Sequence, residues 1–315
     1  MRRLLLFLLL ITGNATHAQE LLGSNNRTIN DLAVMDSLLA VAADQQVELW
    51  DLSTKKPIGS MPNTGKVEFT SVCFGNGNSV LITGNRSGEV TEWNLSASTS
   101  RVLFNMALAP VTSVAFSPTS NQLAVSGGNG KLVVLAMPEA RVIMTGDQGS
   151  ADVTGTNFSD DGGELISAAS DGRLRIYSGA QFQEKTEVDV GGWITAVSAP
   201  YSPGLRLVAS AGKVWTVTPA VKRFKKMANV KGPITALDVL PGKSIAVATA
   251  TGEVLINTNY GRYSYSFGTV VTQVRFFNRH DRFLRVAVAT RGKGLILLDA
   301  RNMKLNESPW SVVVP

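Results

Sequence analysis

The sequence predicts an all-β chain folded as a single seven-bladed propeller. Three observations carry this: a strand-opening segment of the form apolar–Thr–x–apolar that recurs along the chain, the even spacing of its copies, and a second set of strand ends at the same period. The copies are Phe69-Thr70-Ser71-Val72, Val111-Thr112-Ser113-Val114, Val153-Thr154-Gly155-Thr156, Ile194-Thr195-Ala196-Val197, Ile234-Thr235-Ala236-Leu237 and Val271-Thr272-Gln273-Val274, with a weaker opening copy at Ile29-Asn30-Asp31-Leu32. Their second positions lie 40, 42, 42, 41, 40 and 37 residues apart. Units beginning near residues 29, 69, 111, 153, 194, 234 and 271 therefore fill one domain spanning residues 19–315.

Residues 1–18 precede that domain and read as a secretory signal peptide. Met1-Arg2-Arg3 is a positive start, and Leu4 to Ile11 is an apolar run too short for a mature membrane helix, which needs about 20 residues. Thr16-His17-Ala18 supplies the small-residue cleavage pattern ahead of Gln19. Cleavage there lowers the formal charge from +6 to +4 by removing Arg2 and Arg3. The expectation is an exported, periplasmic or secreted protein with no integral span after cleavage.

Within each unit the order repeats. After the opening strand comes a turn rich in Gly, Pro, Asn or Ser, such as Gly75-Asn76-Gly77-Asn78 or Ser117-Pro118-Thr119-Ser120. A second strand follows, for example Leu123-Ala124-Val125-Ser126. A Gly turn then opens the third strand, as in Ser87-Gly88-Glu89-Val90 and Asp171-Gly172-Arg173-Leu174. Third strands end at Trp50, Trp93, Leu135, Tyr177, Val217, Asn257 and about Leu297. A variable, more polar fourth strand completes a blade, and alternation with β-branched enrichment excludes a helical solenoid of similar period. Either residues 19–28 or the terminal Trp310-Ser311-Val312-Val313-Val314 can supply the outer strand of the last blade, and the β-branched C-terminal run is favoured.

The repeats resemble the WD40 family over nearly all of residues 29–299. The carrying residues are Leu49-Trp50-Asp51-Leu52, Glu92-Trp93-Asn94-Leu95, Val114-Ala115-Phe116-Ser117-Pro118 and Ala169-Ser170-Asp171-Gly172-Arg173-Leu174. Trp50, Asp51, Trp93, Asp171 and Gly172 are the structural family positions. The resemblance implies a buried bond network joining the His of a Gly-His pair to Ser/Thr, Asp and Trp. No Gly-His pair occurs here, so apolar packing and Gly turns are expected to replace the full network.

Composition leaves little catalytic equipment. The one cysteine, Cys73, excludes an internal disulfide and a Cys-rich zinc site, and it alternates with Val72 and Phe74 as a structural thiol would. After cleavage His280 is the one histidine left, in a polar turn. Asp160-Asp161-Gly162 reads as a turn, because the dense acidic alternation of a calcium loop is missing. No catalytic residue, metal or cofactor is assigned.

Charge is divided along the chain. Residues 19–212 balance to −7 and residues 213–304 to +12. The basic half includes Lys222, Arg223, Lys225 and Lys226, and later Arg275, Arg279, Arg282, Arg291 and Lys293. These read either as an ordinary solvated face or as a surface for an acidic protein or an anionic envelope component. Nucleic acid is not expected for an exported chain. Trp193, after Gly191-Gly192, sits on a link that the resemblance places on a partner-binding face, and it reads either as a core residue or as an interface anchor. The reading is therefore an exported, non-enzymatic protein-binding scaffold. Its alternatives are an enzyme or small-ligand binder working from the central channel, and attachment to anionic lipid or polysaccharide through the basic sector.

Overall fold

The computed structural model describes residues 19–21, 27–62, 65–107, 109–179, 181–198, 206–218, 223–240, 244–258, 261–277 and 285–299. Residues 1–18, read above as a leader, lie outside them, as do His280 and the terminal run Trp310–Val314. The described residues form seven antiparallel four-stranded sheets, the seven predicted blades. Each blade begins with an inner strand at the centre of the ring: Ile29–Met35, Phe69–Phe74, Val111–Ser117, Val153–Phe158, Ile194–Val197, Ile234–Leu240 and Val271–Phe277.

The recurring threonine has a structural cause. In all seven blades the inner strand slips by one residue against the second strand directly after its opening residue. The extra residue of that bulge is the second position of the repeat: Asn30, Thr70, Thr112, Thr154, Thr195, Thr235 or Thr272. A bulge leaves ladder groups unpaired, and the side chain answers this locally. Thr70, Thr154, Thr195 and Thr272 donate their hydroxyls to the carbonyls of Gly84, Ala168, Ala209 and Ala289 on the neighbouring second strand. Asn30, Thr70 and Thr235 also donate to the opening carbonyl of the next blade, at Phe69, Val111 and Val271. One residue type thus shapes the strand and ties blade to blade.

Second strands carry the core. Those of blades 4, 5 and 6, Leu165–Ala169, Arg206–Ser210 and Ser244–Thr249, are buried at every position, because neighbouring blades cover both faces. Apolar clusters accordingly run between blades, such as Ile82, Val90, Val111, Leu123 and Val125 from blades 2 and 3. Outer strands are wet: Thr99–Asn105 of blade 2 is exposed or half-buried throughout.

Ring closure departs from the sequence expectation. Gln19–Leu21, not the C-terminal run, forms the outer strand of blade 7, antiparallel to Gly294–Asp299, with Gln19 opposite Leu298, Glu20 opposite Leu297 and Leu21 opposite Ile296. The physical reason is that the last sheet offers one open edge, next to Gly294–Asp299. The segment leading into Ile29 reaches it by a short link, like every other fourth-to-first connection. β-Branched composition favours a strand but does not decide which segment takes an edge.

Candidate functional site

Two regions offer chemistry: the central channel and the face on which the inner strands begin, here called the entry face. The channel encloses a cavity of about 530 Å³ lined by the seven inner strands. Its third-position residues are Asp31, Ser71, Ser113, Gly155, Ala196, Ala236 and Gln273, polar on one side and small on the other. The Asp31 carboxylate is the hub. Oδ1 accepts from the Leu32 amide at 2.9 Å and from Arg275 at 3.3 Å. Oδ2 accepts from the Ser71 hydroxyl at 3.1 Å and the Val72 amide at 3.0 Å. The same step repeats as Ser71 Oγ accepts from the Val114 amide, and Asp238 accepts from the Phe276 amide at 2.7 Å. Burial raises the Asp31 carboxyl above its ordinary value, although Arg275 and the three donors pull the other way.

These groups are occupied in fastening blades. Asp31 accepts four bonds, and Arg275 also donates to the Leu32 and Val274 carbonyls. Arg275, counted in the basic sector by sequence, is therefore a channel residue, because it shares the inward-facing alternation of Gln273. Cys73 also lines the channel, half-buried, and burial together with nearby Asp31 raises its thiol far above the reactive range. Among the described residues no group of three or more His, Cys, Asp or Glu is placed to hold a metal ion.

Blade 4 keeps a buried polar network in altered form. Gln148, on the link into blade 4, donates to Ser167 Oγ at 2.5 Å and Tyr177 OH at 3.3 Å, while Arg175 donates to its Oε1 at 3.2 Å. Arg175 in turn pairs with Asp171 at 2.5 Å. Gln148 and Tyr177 thus stand where the resemblance led one to expect His and Trp. The corresponding link residues Met106, Val190 and Phe267 are buried and apolar, each donating its amide to the glycine carbonyl of a second-to-third turn. Apolar replacement holds for those blades, and blade 4 is the exception. Trp93 makes the shortest version, donating to Thr83 Oγ1 at 2.9 Å.

One family model matches part of this geometry. A model described as WD domain, G-beta repeat matches residues 104–134 and 141–178, the stretch that contains Gln148, Ser167, Asp171 and Tyr177. The protein is a seven-bladed propeller with WD40 repeats in the matched stretch. No curated protein matches the chain.

The other positions that carry the resemblance are structural. Trp50 is buried and donates to Glu48 at 3.1 Å. Asp51 caps the next turn, and the Ser53 hydroxyl and amide hold its carboxyl below the ordinary range. Gly172 adopts φ +84°, and a Cβ there would stand 2.9 Å from the Gly192 carbonyl oxygen. That contact connects the blade-4 turn to the link carrying Trp193.

Trp193 is 63 % exposed, so of its two readings the core one is excluded. It stands on the entry face on a well-fixed loop. Asp189 accepts from the Gly191 amide at 2.9 Å, and Ser210 Oγ donates to the carbonyls of Gly191 and Gly192. Both glycines have positive φ, which makes this path open to few other residues.

The predicted basic residues disperse. Lys222, Arg279 and Arg282 lie outside the described residues. Arg223, Lys225 and Lys226 belong to the outer strand of blade 5, Arg223–Asn229, with Lys225 opposite Thr216 and Lys226 opposite Trp215. Arg291 is exposed in the second-to-third turn of blade 7, on the entry face. The residues missed are Lys213 and Lys231. Lys213 lies opposite Ser210 at the entry end of blade 5, and Lys231 lies on the next link. Each is a lone cation in sequence, and ring geometry alone gathers them.

Proposed function

We propose that the WD40 propeller is an exported, non-catalytic scaffold that binds a protein partner through its entry face. WD40 propellers typically bind proteins, and the observation that carries the reading is the 63 % exposed Trp193 on a loop fixed by Asp189, Ser210 and two glycines. A rigid, exposed indole supplies large contact area at small entropic cost, the usual property of an interface anchor. Export rests on the leader pattern of residues 1–18. A closed ring supports a scaffold further, since it holds its loops in fixed relation without chemistry of its own.

The test is affinity capture from the envelope or secreted fraction with wild-type and Trp193→Ala protein. Lost recovery with Trp193→Ala is expected, and equal recovery would sink the role of this face. Intact mass of the native protein should begin at Gln19, and retention of Met1 would overturn export. A second reading, a small-ligand site in the channel, is favoured by the polar cavity of about 530 Å³. Against it stand the four bonds already made to Asp31.

A further inference from the structure

The entry face changes sign at Trp193. On the side of blades 3 and 4, the loop acids Asp147, Asp152, Asp171 and Asp189 are committed to the fold: each accepts a backbone amide, from Gly149, Asn129, Arg173 and Gly191 respectively. Two cations on this side of the ring are paired, Arg86 with Glu68 at 2.6 Å and Arg173 with Glu187 at 3.4 Å, and Lys131 lies opposite Asp147 in the blade-3 register.

Beyond Trp193 the cations outnumber the acids. Lys213, Lys231, Arg291 and Lys293 all lie at the entry ends of blades 5 to 7, as the registers Ser210–Lys213, Ile194–Ser210 and Val271–Thr290 fix. All four are exposed. Among the described residues none of them has a carboxylate within ion-pair distance. Lys213 rests its ammonium 5.9 Å from the Trp215 ring and Lys293 donates to the Phe267 carbonyl, so two of the four are also held in place. Glu253 is the single half-buried acid in the corresponding turns of this arc.

Four exposed cations, none with a carboxylate partner among the described residues, form a positive arc, bounded at one end by an exposed indole and the acidic sector. We propose that this arc docks an acidic segment of the partner protein, with an apolar side chain of that segment against Trp193. The charges select and orient the segment, the indole supplies the desolvated anchor, and the acids beyond Trp193 repel the wrong register. This inference rests on the scaffold reading above and adds to it the chemistry of the partner.

The probe is a labelled ten-residue peptide of glutamates with one central phenylalanine, followed by fluorescence anisotropy. A lysine counterpart and vesicles containing phosphatidylglycerol are the comparison arms. The expected result is binding of the acidic peptide that weakens as salt rises from about 50 to about 300 mM, because exposed charge contacts are screened. Lys231→Glu combined with Arg291→Glu should weaken it at least tenfold and flatten the salt dependence. Trp193→Ala should weaken it by about thirtyfold, the equivalent of an anchor worth ~2 kcal/mol, while leaving the salt dependence in place. All three side chains are exposed, and far-UV circular dichroism verifies that the variants fold.

Equal binding of the lysine peptide, indifference to the double charge reversal, or binding to vesicles without binding to the acidic peptide would each overturn the proposal. The two readings separate cleanly. Partner capture that depends on Trp193 but not on Lys231 and Arg291 keeps the scaffold and removes the acidic segment. Capture that depends on neither removes both.

Discussion

Arg275→Met tests whether the channel charges fasten the ring. The substitution keeps an unbranched stem and deletes the guanidinium that bonds Asp31 at 3.3 Å and the Leu32 carbonyl at 3.1 Å. Breaking a buried ion pair by removing one partner costs roughly 3–5 kcal/mol. Two features lower the figure here. Asp31 keeps its bonds from Leu32, Ser71 and Val72, and the Asp31 and Arg275 side chains are 13 % and 28 % exposed to a channel that water can enter. The expected loss is therefore about 2–3 kcal/mol near neutral pH. It is read as the shift in urea midpoint by tryptophan fluorescence, with the slope checked for two-state behaviour. The pH dependence has a definite sign. Burial raises the Asp31 carboxyl above 3.8, so the folded state holds that proton more tightly than the unfolded chain. Ionisation of Asp31 subtracts stability as pH rises through the folded value, and below 3.8 the subtraction is gone. Without Arg275 the folded value rises further, so the deficit of the variant should narrow as pH falls toward 3.8. In an Asp31→Asn background the same substitution should cost clearly less. A loss under about 0.5 kcal/mol, or an equal loss in both backgrounds, would refute the fastening role.

Further expectations concern blade 4, the closing edge and the Trp193 loop. Gln148→Ala strips partners from Ser167 and Tyr177 inside the sheet and should cost about 2–3 kcal/mol in urea unfolding, whereas Gln45→Ala, at an exposed turn, should cost under about 0.5 kcal/mol. The Asp171 carboxyl lies below its ordinary range, since bonds and charge from Arg175 and the Arg173 amide outweigh the burial that opposes them. Its stabilisation is present above the unfolded value of 3.8 and lost as pH falls through the folded one, and Asp171→Asn should remove that part of the acid sensitivity in blade-4 hydrogen exchange. Deleting residues 19–21 should raise amide exchange in Gly294–Asp299 by at least tenfold while blades 2 to 4 stay protected. Gly172→Ala, forced against Gly192, should shift Trp193 emission and weaken partner capture without abolishing folding.

Local chemistry explains what the sequence made legible. The bulge demands a small side chain that can donate to a nearby carbonyl, so Thr70, Thr154, Thr195 and Thr272 mark the blades at a regular spacing. Turns needing positive φ required Gly88, Gly172 and Gly252, and these too stand in register along the chain. Contacts between distant segments left weaker traces. Gln19-Glu20-Leu21 has no strand signature and takes its place because an edge is open to it. The absence of a Gly-His pair was visible, yet nothing marked Gln148 as the stand-in, because its partners Ser167 and Tyr177 come from two strands later in the chain. Arg275 carried a usable signal that charge counting overrode: it alternates with Gln273, and that alternation sends it to the channel. Trp193 was ambiguous because burial at a loop depends on what the neighbouring blade leaves uncovered. The positive arc was unreadable, since Lys213 and Lys293 meet one surface only when the ring exists.

Closure by the first residues of the domain sets the order of assembly. Hydrogen bonds from Gln273 and Arg275 to Asn30, Leu32 and Asp31 span 243 or 244 residues of sequence, and the Gln19–Leu21 pairing spans slightly more. No growing chain can make them until synthesis has passed blade 7. Blades 1 to 6 can accumulate in succession as a curved, open stack, because each needs only its neighbour. The final join must then bring two remote ends together, the slowest class of contact in folding. A nascent propeller therefore spends its vulnerable interval with the blade-7 sheet edge bare. Interruption late in synthesis, rather than early, is where this chain is most exposed to pairing with a second copy of itself.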